Sequence, residues 1–219
     1  MPWPLFLLLA FLSGSVPFGL LIARAKGIDI RAHGSGNIGA TNVGRVLGRS
    51  WGFLCFGLDA LKGATPVLIA GSVRGVLGQP AATLDPADLW WWLGCAVMAL
   101  LGHVFSPWVR FKGGKGVATG FGAFVAMWTP LTIPTAIALL VWAVAVKATK
   151  MVSLASMIAA FAIPLSIGVR CLLADDLAAA LRAETPSLAI SCLIAVLIVV
   201  KHRANIGRIL RGEELKVKA

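Results

Sequence analysis

The sequence is short of charge, and shorter still of acid. Only 13% of its 219 residues are Asp, Glu, Lys or Arg, and only nine are acidic. A soluble domain carries about 25% charged residues. The deficit is filled by apolar residues, 58% of the chain, arranged in runs too long for a soluble core. The chain therefore reads as a polytopic, all-α membrane protein, with residues 1–219 forming a single domain.

Other absences narrow the reading. The four cysteines, Cys55, Cys95, Cys171 and Cys192, are scattered through apolar segments with no C-x-x-C and no Cys/His cluster. They read as small buried residues, not as a disulfide framework or a metal site. The opening "MPWPLFLLLAFLSGSVPFG" has no basic region ahead of its apolar run, which continues to Ala23. It reads as a retained first span, not a cleaved signal. No internal repeat and no low-complexity linker is evident.

Apolar segments run at about 3–23, 51–73, 88–105, 151–173 and 187–200. The block 116–146 is too long for one span and short for two. Its "WTPLTIP", with Pro130 and Pro134, is placed to turn a tight helical hairpin. Two short helices there give seven spans, with the N-terminus outside and the C-terminus inside. On that topology sixteen of the twenty Lys and Arg fall on the inner side, Lys218 among them. Arg74, Arg170 and Arg182 lie outside and Lys62 lies within a span. A single span over 116–146 would scatter the cations to both sides, so the positive-inside bias favours seven. The net charge of +11 is then topology and contact with anionic headgroups, and nucleic acid is not an expected partner. Asp85, Asp88, Asp175, Asp176 and Glu184 are placed outside, and "WWW" at 90–92 near the outer interface.

Three polar segments share the inner side. "GSGNIGATNVGR" (34–45) matches the dinucleotide fingerprint G-x-G-x-x-G, but no βαβ unit surrounds it. Its glycines suit a concave backbone anion site, with Ser35, Asn37, Thr41 and Asn42 adding short polar groups and Arg45 a planar fork. The plainer alternative is a re-entrant loop that caps the next helix. "KGGKG" (112–116) runs into an apolar helix, again an anion-friendly arrangement, and it is not a Walker A loop because Gly116 follows Lys115. Its plainer alternative is a basic turn touching lipid phosphates. "KHRANIGRILRGEE" (201–214) reads as a short amphipathic helix with His202, Asn205 and Arg208 on one side. A simple interfacial anchor is the alternative there. Within the second span, Asp59 and Lys62 stand three residues apart, and each alone would cost roughly 2.5–3.5 kcal/mol near the bilayer centre. They read as a pair that orients the polar loops.

The inner side has many cations and few carboxylates, which argues against a Mg²⁺-dependent phosphotransferase. No G-x-S-x-G elbow is present, and none of His33, His103 and His202 opens an H-x-x-x-x-D motif. A metal-free reaction on phosphorylated substrates fits better. A transporter of phosphate esters is the rival class, but polar motifs at one face and the lack of repeats speak against it. A structural subunit that has kept the motifs is a third reading.

"SGNIGATNVGR", "GHVFSPWVRFKGGKGVAT" and "HRANIGRILRGEE" closely resemble the three cytoplasmic motifs of the PlsY family, the bacterial acyl-phosphate:glycerol-3-phosphate acyltransferases. "DALKG" resembles a further element of that family, and the resemblance covers the whole chain in motif order. One departure stands out: where the family usually has proline, this chain has Ser106, with Pro107 one place later. The resemblance implies acyl transfer from a fatty acyl phosphate to the 1-hydroxyl of sn-glycerol 3-phosphate, at the cytoplasmic face of the bacterial inner membrane. It implies no cofactor and no metal, and membrane lipids and other phospholipid-synthesis enzymes as partners. On that resemblance the catalytic residues are Ser35, Arg45, Lys115, His202 and Asn205. Gly36, Asn37, Thr41, Asn42, His103, Lys112, Gly113, Gly114, Gly116, Arg203 and Arg208 would line the substrate site. Asp59, Lys62 and Glu214 would support it. The proton acceptor is open between His103, His202 and a phosphate oxygen of the donor. A nucleophilic Ser35 is the sharper alternative.

Overall fold

A computed structural model describes residues 1–217; Lys218, counted among the inner cations, lies outside the described residues. Among the described residues there is no strand. The chain divides into two units, Met1–Leu77 with Gly94–Met127, and Gly78–Leu93 with the residues from Trp128 onward. Among the described residues, six helical stretches are long and apolar enough to cross a membrane: Trp3–Ala25, Arg49–Arg74, Pro86–Val109, Thr132–Thr149, Val152–Leu172 and Leu177–Lys201.

In the first unit the opening span is two helices, α1 (Trp3–Ser15) and α2 (Phe18–Ala25). Pro17 has no N–H and cannot continue α1, so the chain leaves the helix at Val16. In lipid each orphaned carbonyl would cost several kcal/mol, so other groups must satisfy it. Ser106 Oγ donates to the Ser15 carbonyl at 2.6 Å and Lys62 Nζ donates to the Val16 carbonyl at 2.6 Å. Trp108 Nε1 donates to Ser15 Oγ at 2.8 Å. The same logic repairs α4 (Arg49–Arg74), which contains Pro66. Pro66 cannot donate to the carbonyl of Lys62, and Ser13 Oγ does so instead, at 2.8 Å.

A short helix α3 (Ala40–Leu47) precedes α4, and α5 (Pro86–Val104) runs through both units. The helix α6 (Val117–Val125) has nine residues. At 1.5 Å per residue it covers roughly half of a ~30 Å hydrocarbon core, so it is not a full span. Glycine sets the helix spacing. A Cβ on Gly63 would strike the Thr119 carbonyl and one on Gly122 the Ala60 carbonyl, so α4 and α6 pack backbone to backbone. Gly14 against Ala99 and Gly102 against Phe11 do the same for α1 and α5.

The second unit holds α7 (Thr132–Thr149), α8 (Val152–Leu172), α9 (Leu177–Lys201) and the short α10 (Arg203–Leu210). Trp142 Nε1 ties α7 to α8 by donating to Ser156 Oγ at 3.2 Å. Arg170 donates to Glu184 Oε1 at 2.7 Å and to the Pro130 carbonyl at 3.2 Å.

Over 116–146, where two short helices were expected, α6 is short, while α7 has eighteen residues and passes as a span. Pro134 does not turn the chain. It sits in the first turn of α7, where a missing N–H is harmless. The last long helix begins at Leu177, not near 187, because Asp176 caps it on the Ala179 amide at 2.9 Å and "LAAAL" propagates well. Arg182 and Glu184, expected in an outer loop, are therefore helical. Cys192, expected to be buried, is exposed on the apolar surface of α9, while the other three cysteines are buried.

Candidate active site

The first polar loop is built around one side chain. Asn42, on α3, is buried. Its Oδ1 accepts from the Ser35 amide at 2.8 Å, and its Nδ2 donates to the carbonyls of His33 (3.0 Å), Asn37 (2.9 Å) and Ile30 (3.3 Å). Gly34 must be glycine twice over: its φ is +60° and a Cβ would fall on Asn42 Oδ1. Asn37 Oδ1 accepts from the Gly39 amide at 2.9 Å, closing an Asx turn into α3. Asn42 holds the loop, and those bonds use both its donor and its acceptor groups. The loop leaves Ser35, Gly36, Thr41 and Arg45 exposed. Thr41 and Arg45 are one turn apart on α3 and share a face.

Ahead of this loop Asp29 receives Arg31 through two side-chain bonds, of 2.9 and 2.8 Å, and through its amide at 3.1 Å. Those bonds hold the Asp29 carboxyl down at about 2 and raise the Arg31 guanidinium in turn.

The second loop starts from the buried Ser106. The Ser106 carbonyl accepts from the Phe111 amide at 2.9 Å, and Arg110 and Phe111 both take positive φ, 53° and 60°. Two consecutive non-glycine residues in that region store strain. Gly113 donates its N–H to the Val104 carbonyl at 3.2 Å and packs on the His103 carbonyl. It therefore spends the amide that was expected to bind phosphate. Gly114 lies on the His103 ring, and Gly116, at φ +84°, is the N-cap of α6. Lys115 is half-buried between them and Lys112 is exposed.

These two loops share a floor. Ile30, Ile38 and Val43 of the first and Val109 of the second belong to one buried apolar cluster with Leu20, Ala23 and Cys55. Beneath the second loop lie Asp59, Lys62, His103 and Thr119, all buried. Lys62 Nζ is 2.7 Å from Asp59 Oδ1, confirming the expected pair. His103 Nδ1 is 3.1 Å from Thr119 Oγ1 and 3.8 Å from Asp59 Oδ1.

The third motif is in the second unit. His202 ends α9 and caps α10, and its Nδ1 is 2.8 Å from the Ile198 carbonyl. A carbonyl only accepts, so Nδ1 carries a proton, and in the neutral ring Nε2 holds the lone pair. Glu214 gathers the rest: its Oε1 accepts from Asn205 Nδ2 at 2.6 Å and Ser153 Oγ at 2.6 Å, and its Oε2 from Arg208 Nε at 2.8 Å. Burial pushes the Glu214 carboxyl up, but these three hydrogen bonds and the Arg208 charge outweigh it and hold the group below its usual value. Arg203 is exposed. No motif or spacing marks Ser153, Thr119 or Ser106 as partners, because each meets its partner through tertiary packing.

The chain matches the model of the glycerol-3-phosphate acyltransferase family over residues 4–212. It is 43% identical over 210 residues to a glycerol-3-phosphate acyltransferase of Geobacter sulfurreducens, covering 96% of this chain and 95% of that one. It is 41% identical over 219 residues to that of Leptospira borgpetersenii, covering 98% and 91%. A crystal structure of PlsY, an integral membrane glycerol 3-phosphate acyltransferase, in its glycerol 3-phosphate form superposes with a TM-score of 0.83 at 35% identity, over 99% of this chain and 96% of that one. The lysophosphatidic acid form gives 0.80 at 34% identity, over 99% and 95%. The motif loops, the membrane helices and these likenesses together place the chain in the PlsY family of integral membrane glycerol-3-phosphate acyltransferases.

Proposed function

We propose that the protein transfers a fatty acyl group from acyl phosphate to the 1-hydroxyl of sn-glycerol 3-phosphate at the cytoplasmic face of the bacterial inner membrane. The hydroxyl oxygen attacks the acyl carbonyl carbon and an ester C–O bond forms. The bond from that carbon to the phosphate oxygen breaks, and phosphate leaves. The observation that carries the reading is the pair of glycine loops on one apolar floor, each leading into a helix N-terminus and each bearing cations, Arg45 on one and Lys112 and Lys115 on the other. Such a surface suits two phosphates that would otherwise repel, and an acyl phosphate is already activated, so no covalent enzyme intermediate is needed.

In this reading Ser35, Arg45 and Lys115 hold substrate phosphate, with Gly36, Thr41, Gly114 and Gly116 shaping the concave surface and Lys112 steering anions to it. Asn37, Asn42 and Gly113 fix the loops. His202 and Asn205 position glycerol 3-phosphate, with Arg203 and Arg208 supporting its charge and Glu214 holding Asn205 and Arg208. The hydroxyl proton passes to His202 Nε2 or to a donor phosphate oxygen, whose second pKa is about 6. Counting α6 as a short seventh span, the N-terminus lies outside and all three motifs face the cytoplasm, where the excess of basic residues belongs.

The test uses purified protein with palmitoyl phosphate and glycerol 3-phosphate, in EDTA, following phosphate release, with palmitoyl-CoA as control donor. Release that needs glycerol 3-phosphate, fails with the CoA ester and is lost in Lys115→Ala is the expected result. Transfer from the CoA ester alone would reject acyl phosphate as donor. No release from folded protein would turn attention to uptake of phosphate esters into liposomes.

A further inference from the structure

We propose that Thr119, His103, Asp59 and Lys62 form the mount of the second glycine loop, and that His103 is a positioning residue of the transferase, not its acid or base. The inference rests on the phosphate-binding reading of that loop and adds a role to it.

Three observations converge. The first is burial: all four side chains are 5% exposed or less. Burial alone does not exclude a base, since His202 is 2% exposed, so what covers the ring edge decides whether it can reach a substrate proton. The second is what covers the ring. A Cβ added at Gly114 would land on Nε2, Cε1 and Cδ2 of His103, and one added at Gly113 would strike the His103 carbonyl. The backbone of the loop thus lies against the imidazole edge that a base would turn toward substrate. The third is what holds the other edge. Nδ1 is 3.1 Å from Thr119 Oγ1 and faces Asp59 Oδ1 at 3.8 Å.

The four members are fixed to three elements. Thr119 lies in the first turn of α6, three residues beyond the Gly116 cap, and Gly63 of α4 packs against its carbonyl. Asp59 and Lys62 sit on α4, and Lys62 reaches the Val16 carbonyl at the break in the first span. His103 ends α5. The ring is therefore clamped from one edge by α6 and α4, and its other edge sets the height of Gly114, next to Lys115. Moving the ring moves the phosphate loop. A displacement of about 1 Å in a positioning element can cost 10²-fold.

The experiment compares full-length wild type, Thr119→Val, Thr119→Ser and His103→Asn in lipidic mesophase. It reads KM and kcat for each substrate, the pH dependence of kcat, the melting temperature, and the Kd of glycerol 3-phosphate by calorimetry. Valine matches threonine in shape and lacks only the hydroxyl, so it removes the bond to His103 and little else. The expected result is a roughly 10–100-fold rise in KM for a phosphorylated substrate in T119V and H103N. The pH midpoint of kcat stays where it is, and T119S stays near wild type. A loss in kcat of about 10³-fold or more in H103N, with KM unchanged and the acidic limb of the pH profile gone, would make His103 the base and overturn the proposal. A lower melting temperature in T119V with unchanged KM and Kd would reduce the chain to packing and overturn it as well. If wild type binds glycerol 3-phosphate but turns over no acyl phosphate, the proposed donor is wrong. The contrast in Kd between T119V and T119S then still decides the mount.

Discussion

Ser106 is the place where this chain departs from the usual motif, and it offers a sharp test of how the first span is held. The chain leaves α1 at Val16, so the helix that would supply a donor to the Ser15 carbonyl has ended. Ser106 Oγ, 1% exposed in its residue, donates to that carbonyl at 2.6 Å. Ser106→Ala leaves a buried acceptor unsatisfied, at a cost of about 1–3 kcal/mol. For a chain of this length each kcal/mol moves the melting temperature by about 2–4 °C, so S106A should melt roughly 2–12 °C lower. Ser106→Pro is the informative companion. The backbone at Ser106 has φ −59°, which a proline ring accepts without change. Proline loses the hydroxyl but stiffens the unfolded chain, recovering about 0.4–1 kcal/mol. The expected order of stability is therefore wild type, then S106P, then S106A. Thermal unfolding in one detergent, followed by tryptophan fluorescence, measures it. An S106A melting temperature within 1 °C of wild type would refute the argument that this hydroxyl satisfies the helix break.

Long apolar runs reached most of the fold because membrane helices announce themselves by length. The Asp59–Lys62 pair was legible because two isolated charges in lipid have to find each other, and three residues on a helix bring them close. The glycine and cation content of the loops was legible as well, and it is what the anion-site proposal rests on. Their internal wiring was not. Asn42 could be read as shaping the loop, but no residue pattern showed that its amide serves three carbonyls and one amide of that loop, a geometry fixed only when residues 30–42 close. Gly113 looked like an anion donor, but its N–H turns back to Val104. The short α6 was legible from the length of the block 116–146, whereas the eighteen residues of α7 were not, because Pro134 looked like a turn and instead sits in the first turn of that helix. Ser153 could not have been tied to Glu214 from sequence, because 61 residues separate them.

Asn42→Leu, which fills the same space without the amide, should abolish acyl transfer while the protein still inserts and remains folded; wild-type turnover would show that the loop does not depend on this hub. Lys62→Met should destabilise by about 3–5 kcal/mol because it strands the Asp59 charge, whereas Asp59→Asn with Lys62→Met should recover much of the loss. Melting of the two variants side by side decides it, and an equal loss in both would refute the pairing. The third test is pH dependence, and it isolates Glu214. The folded protein holds this carboxyl below its ordinary value of 4.5, so the unfolded chain binds its proton more readily. Stability from this group is then fully present above the unfolded value and is lost as pH falls through the folded one. Wild type should therefore lose melting temperature on acidification below about pH 4.5. Glu214→Gln should start lower at pH 7 and fall less over the same interval, because its amide has no proton to gain. Asp29→Asn is the control: its carboxyl is also held low, at about 2, but it lies in the exposed, solvent-screened pair with Arg31. It should leave the curve nearly unchanged. An E214Q curve parallel to wild type at all pH values would mean that the acid loss arises elsewhere and that the bonds from Ser153, Asn205 and Arg208 do not depend on the carboxylate charge.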